Sequence, residues 1–322
     1  MTIELARRRL VAKPWGARDL GQWGTGIDDG SRVGEIWYER SGGDAAASSL
    51  LLKLLFTTEQ LSIQVHPDDE QAKALGLASG KTEAWYILHA TPGAQVALGL
   101  KRSLSAQQLR QAAVDGSLAK LIEWRSVWLG DTVFVPAGTI HSLSAGLVIA
   151  EVQQRSDTTF RLLDPGRERD LHIDQAVEVA RADLSLEQPR PRRLDDERTL
   201  LVSDPHFMLE RLDLPGESER WLQAEQETWL LVVCGSGRAG AFEIGPGSAL
   251  FVSTDRVALK AGAEGMVCIV AYTGGGRPAA QLLRDTVQSG SADQGQTAVP
   301  VLTASLTSTA KSAATRHVED FR

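Results

Sequence analysis

Cysteine is scarce in this chain, with two residues, Cys234 and Cys268, among 322. So few exclude the disulfide framework of a small secreted domain. Both sit in apolar strand-like runs, "WLLVVC" and "MVCIVAY", and are expected to be reduced core residues. Long apolar runs are missing too. No stretch approaches the roughly 18 residues that a membrane span needs. The opening "MTIELARRRLVAKPWG" has basic residues but lacks the apolar segment of a secretory signal, so a cytoplasmic location is expected. Nor is positive charge in excess: 34 Lys and Arg against 41 Asp and Glu leave a net charge of −7. Without a broad basic field to displace counterions from phosphates, nucleic-acid binding is not expected. A small anionic substrate held by a few local basic residues remains compatible with that balance.

What the chain does have is a series of short apolar or alternating runs: "EIWYE", "SLLLKLLF", "LSIQVH", "EAWYIL", "QVALGL", "TVFVP", "LVIAEVQQ" and "FRLLD". Gly, Pro, Asp and Ser separate most of them, the pattern of a mainly β sandwich or barrel. One stretch differs. Residues 103–125 place Leu109, Ala112, Ala113, Leu118, Leu121 and Ile122 at helical spacing, with Gly116 dividing two short helices. A further helix is expected near Asp174. The segment "EQPRPRRL", 187–194, reads as a linker, because proline cannot propagate a helix. Beyond it the chain repeats itself faintly. "KTEAWYILHATPGAQ" is echoed by "EQETWLLVVCGSGRA", and "LGDTVFVPAGTIHSLSAG" by "IGPGSALFVSTDRVALKAG". Two β units in tandem follow, 1–186 and 195–282. The second has Ala258 in place of His141 and no counterpart of "QVH". Residues 283–322, rich in Ser, Thr, Ala and Gln, are expected to form a loosely held tail.

Chemistry gathers in the first unit. In "LSIQVHPDDE" the apolar Leu61, Ile63 and Val65 alternate with Ser62, Gln64 and His66, so one strand face carries the three polar residues. Lys81 and Glu83 share a face at the start of the next strand. In "GDTVFVPAGTIH" a Pro-Ala-Gly turn ends a buried strand beside His141, a spacing that matches the second motif of the cupin superfamily, whose small jelly rolls hold a metal inside the barrel. The expected fold is therefore two cupin-type jelly-roll barrels in tandem with a few short helices. Two imidazoles, one carboxylate and one amide oxygen suit zinc or another divalent first-row ion. His89, His172, His206 and His317 lack a partner at metal spacing.

In chain order, "LSIQVHPDDE", "GKTEAWYIL", "VPAGTIHSL" and "EVQQRSDTTFRLLD" resemble the type I mannose-6-phosphate isomerases, and "KPWGARDL" with "GEIWYE" fits the same family. The resemblance covers most of residues 10–180 and implies one zinc ion held by Gln64, His66, Glu83 and His141. It further implies a catalytic arginine at Arg161 and substrate contacts at Trp15, Ser62 and Lys81, with Lys81 also able to assist proton transfer. Arg155 departs from the asparagine many members have there. The implied reaction interconverts mannose 6-phosphate and fructose 6-phosphate through a cis-enediol, so the partner is a small phosphosugar. It leaves open the general base, and monomer against homodimer. Competing readings are a sugar-phosphate sensor that keeps the metal without turnover, an isomerase of another sugar, and an iron-dependent cupin oxygenase, which Gln64 fits poorly.

Overall fold

Strand Leu50–Thr57, LLLKLLFT, is buried along its whole length, because its sheet is covered on both faces. The structure, a computed structural model, describes residues 2–24, 30–42, 48–182 and 187–285. In the first half an antiparallel six-stranded sheet runs in the order Arg7–Ala17, Val33–Glu39, Leu50–Thr57, Leu147–Gln154, Glu83–Ala90, Thr132–Val135. A five-stranded sheet faces it, in the order Phe160–Leu163, Ile63–Val65, His141–Leu143, Gln95–Leu100, Ile122–Ser126. Between the sheets lies an apolar cluster of Trp15, Leu55, Trp85, Ile87, Leu98 and Leu143. The alternating strands of the sequence thus form the two inner faces of a sandwich-like barrel.

The outer face of each sheet is covered differently. Helices Ala106–Val114, Leu118–Leu121 and Ile173–Val179 cover the five-stranded sheet, packing Leu109, Leu118 and Ala176 against Ile63, Val65 and Leu162. The six-stranded sheet instead turns Tyr38, Leu52, Leu54 and Phe56 toward Leu209, Trp229 and Ile269 of the second half. Each such side chain fully withdrawn from water contributes roughly 1.5–3 kcal/mol. The second half is a rolled antiparallel sheet around an apolar interior of Leu212, Leu222, Val232, Leu259 and Cys268.

Several expectations gain detail. The helical stretch breaks at Gly116, whose φ of 77° suits glycine. It ends at Leu121, however, because Ile122–Ser126 leaves the helix to pair with Gln95–Leu100. A helix missed in the sequence, Asp69–Ala74, starts with a capping box of Asp68 and Gln71. Cys268 is buried, but Cys234 is exposed. A register shift between Val232 and Cys234 interrupts the inward alternation of that strand, so Cys234 is not a core residue. The linker segment contains the two-residue strand Arg192–Arg193. The chain start, Thr2–Leu5, pairs with Ala249–Ser253 of the second half. Of the expected tail, Leu283–Asp285 pairs with Glu219–Ala224, and residues 286–322 lie outside the described residues.

Candidate metal centre and active site

Gln64 is the middle residue of a three-residue strand and stands opposite His141 on one neighbouring strand and Arg161 on the other. Directly paired residues of an antiparallel sheet share a face, so the three form a row across the inner surface. Ile63 and Val65, one step away on either side, point to the helices, as the period of two requires. Glu83 comes from the opposing sheet, at the head of strand Glu83–Ala90. His66 follows the Gln64 strand and is 1% exposed, as are Glu83 and His141.

The imidazole tautomers follow from their partners. His66 Nδ1 lies 2.8 Å from the Thr158 carbonyl oxygen, and His141 Nδ1 lies 2.9 Å from that of Thr139. A carbonyl oxygen only accepts, so both Nδ1 atoms donate and both Nε2 atoms keep a lone pair. Those lone pairs converge on one carboxylate: Glu83 Oε1 is 3.2 Å from His141 Nε2 and 3.6 Å from His66 Nε2. One ligand atom from each of the three residues lies within 4.8 Å of the others. His66 Nε2 and Glu83 Oε2 are buried without a hydrogen-bond partner. Burial, helped by Lys81, pushes the His66 imidazole down to about 3, and burial likewise lowers His141. Burial alone would raise Glu83, but the Lys81 ammonium beside it holds it well below the ordinary carboxylate range. An anion and two neutral acceptors therefore face one another with no proton between them. Buried polar groups are rarely left in that state, and a divalent cation satisfies all three at once. The donor set of nitrogen and oxygen without sulfur fits such an ion.

Ser62 and Lys81 each contact a member of this group, and Arg161 shares the strand register of Gln64. Ser62 Oγ donates to Gln64 Oε1 at 2.9 Å, and Gln64 Nε2 is 3.3 Å from His141 Nε2. With the amide turned over, its oxygen would join the cluster while its nitrogen donates to Ser62 Oγ, so the serine can orient Gln64 in either setting. Lys81 Nζ lies 3.5 Å from Glu83 Oε2. Arg161 is held by its strand, with its Nε buried and unpaired. Its guanidinium is lowered by burial and by nearby Arg169. Trp15 packs with Leu55, Leu61, Trp85 and Ile87 in the apolar part of the barrel.

Three residues in the barrel escaped the sequence reading. Lys53 Nζ is 3.2 Å from Glu151 Oε1 and 4.0 Å from Glu35 Oε2. Glu151 Oε2 accepts from Trp85 Nε1 at 3.0 Å. Burial and the neighbouring Glu83 raise the Glu151 carboxyl, which makes it a group able to hold a proton near the cluster. A signal existed in the sequence, because "SLLLKLLF" and "LVIAEVQQ" each place one charge inside an otherwise apolar strand.

No protein-family profile matches the chain. Mannose-6-phosphate isomerase ManA of Bacillus subtilis is 30% identical over 231 residues, 66% of this chain and 71% of that protein. The crystal structure of the mannose 6-phosphate isomerase from Bacillus subtilis superposes with a TM-score of 0.74 at 24% identity, covering 84% of this chain and all of that one, and so shares its fold. The mannose-6-phosphate isomerase of Streptococcus mutans is 34% identical over 229 residues. That alignment spans 66% of this chain and 71% of the streptococcal protein, and on that extent of identity the chain belongs to the mannose-6-phosphate isomerase family.

Proposed function

We propose that this protein interconverts D-mannose 6-phosphate and D-fructose 6-phosphate, with one zinc ion held by Gln64, His66, Glu83 and His141. The observation that carries the reading is the convergence of buried Nε2 and carboxylate acceptors without protons, flanked by Lys81 and Arg161, in a chain of this family. Aldose–ketose isomerisation moves a proton between C1 and C2 of the open-chain sugar. It needs a proton carrier near those carbons and positive charge near their oxygens. A bound divalent cation would supply such charge as a Lewis acid.

The chain's own residues have distinct tasks in this reading. The Thr158 and Thr139 carbonyls, each accepting from an Nδ1–H, fix the two imidazoles as neutral rings with the Nε2 lone pair available to a cation. Arg161, in register with Gln64, presents a planar cation to substrate oxygens. Lys81, buried beside Glu83, serves the substrate phosphate or carries the proton, and Glu151 is a second group able to carry one. Ser62 keeps Gln64 in orientation and can also meet the substrate. Trp15 bounds the barrel on its apolar side. Residues 1–186 carry the chemistry and residues 195–282 brace it. A cytoplasmic setting fits two unpaired cysteines and the absence, among the described residues, of a helix long and apolar enough to cross a membrane.

The test is a coupled assay of mannose 6-phosphate conversion, run on purified protein before chelation, after chelation and with zinc restored. Activity is expected to vanish with the metal and return with zinc. Metal-loaded protein without turnover of this substrate would overturn the assignment.

A further inference from the structure

Asp69 lies three residues beyond His66, at the start of the short helix Asp69–Ala74, and is not part of the metal cluster. Its carboxylate nevertheless joins several separate segments. Oδ1 accepts from Gly80 N at 2.7 Å and from Gln154 Nε2 at 2.9 Å, while Oδ2 faces His206 Nε2 at 3.1 Å. Gln154 passes the constraint on, because its Oε1 accepts from Thr82 N at 2.9 Å and its own N–H donates to the Thr82 carbonyl at 3.1 Å. Lys81 N donates to the Pro67 carbonyl at 2.9 Å. Successive peptide units on either side of Lys81 are thus fastened to the Pro67–Asp69 turn or to Gln154. The approach is tight: a Cβ on Gly80 would lie 2.6 Å from the Asp68 carbonyl carbon and 2.7 Å from Asp69 N. His206 comes from the second half, and its Nδ1 is 2.6 Å from Asp204 Oδ1, so the ring is held between two carboxylates.

From these contacts we infer that Asp69 is a positioning residue for Lys81 and Glu83, and that His206 ties this constraint to the second half of the chain. Lys81 Nζ and both Glu83 oxygens sit at 3.2–3.6 Å from their partners. A shift of the 80–83 backbone by a fraction of an ångström is therefore felt at the cluster. The kinetic part of the inference rests on the isomerase reading. The backbone and metal-binding parts do not.

The experiment compares full-length wild type with Asp69→Ala, Asp69→Asn and Gln154→Ala. It reads amide hydrogen exchange along the chain, zinc affinity by chelator competition, and kcat and KM for mannose 6-phosphate. In Asp69→Ala, exchange at Gly80–Thr82 should accelerate while strand Thr228–Ala239 keeps its protection. Zinc affinity should fall about tenfold and kcat roughly 10–100-fold, with KM moving less than about threefold. Asparagine should recover most of each loss, because its amide oxygen accepts the Gly80 and Gln154 bonds and its NH2 donates to His206 Nε2.

Unchanged exchange and zinc affinity in Asp69→Ala would overturn the inference, and so would an asparagine variant as damaged as the alanine one. If Asp69→Ala does not fold, Gln154→Ala carries the test. Faster exchange at Thr82 supports the inference there, and unaltered exchange overturns it. Wild type inactive on mannose 6-phosphate, with Asp69→Ala still loosened and weaker for zinc, would remove the reaction and keep the positioning role. An active wild type beside an unaltered Asp69→Ala would do the reverse.

Discussion

A histidine whose Nδ1–H is committed to a backbone carbonyl has one lone pair left, and in this protein two such lone pairs meet at a single carboxylate. Removing one donor should break the set. His141→Ala is expected to lose the metal and the activity together, with metal content per chain as the measurement, and full occupancy would contradict the ligand assignment. Arg161→Ala should keep metal and fold but lower kcat by about 10²–10³, the size expected for removing one preorganised charge from a reaction centre. The same environment predicts an acid sensitivity. Burial lowers His66 to about 3 and lowers His141 too, whereas both return toward 6.5 in the unfolded chain. Below pH 6.5 the unfolded state therefore takes up protons that the folded state refuses, and stability falls as pH falls toward 3. Glu83, held low by the Lys81 ammonium against its own burial, adds a loss in the same sense below its ordinary value of 4.5. Unfolding midpoints of the metal-free protein at pH 7, 6 and 5 should decline steadily, and a flat profile would show that the imidazoles are not buried neutral.

Elements owe their stability here to what covers their faces and edges. Strand Thr132–Val135 is an edge of the six-stranded sheet, and an open edge invites pairing with another chain. The side chain of Gln188, from the linker, occupies that edge like a strand residue: its Oε1 accepts from Phe134 N at 2.7 Å and its Nε2 donates to the Phe134 carbonyl at 3.2 Å. Gln188→Ala should lower stability by about 1–2 kcal/mol, the net contribution of two such bonds. It should also raise concentration-dependent association. Urea midpoints and light scattering measure the two effects, and a variant indistinguishable from wild type in both would show that the edge needs no cover.

At the scale of the molecule, the two halves share one apolar layer. Tyr38, Leu52, Leu54, Phe56 and Tyr86 pack with Leu209, Trp229 and Ile269, and Tyr38 Oη donates to the Gly247 carbonyl at 2.8 Å. Residues 1–186 expressed alone should therefore expose this face, bind a hydrophobic dye and associate; a monomeric fragment with a cooperative melt would contradict that. Much of this arrangement is legible in the amino-acid order. Alternation in "LSIQVH" sends Gln64 inward and Ile63 and Val65 outward, and "SLLLKLLF", apolar but for Ser49 and Lys53, marks a strand covered twice, because side-chain direction in a strand depends only on parity. What a linear pattern does not carry is the meeting of Gln64, His141 and Arg161 in one row, since register between strands far apart in sequence is set by packing of the whole barrel. Nor does it carry the link from Asp69 to His206, 137 residues further on, or the exposure of Cys234, which turns on a register shift within one strand. Local order determined which face each side chain would take; only the tertiary structure decided which faces meet, because contact between distant segments is a property of the packed whole.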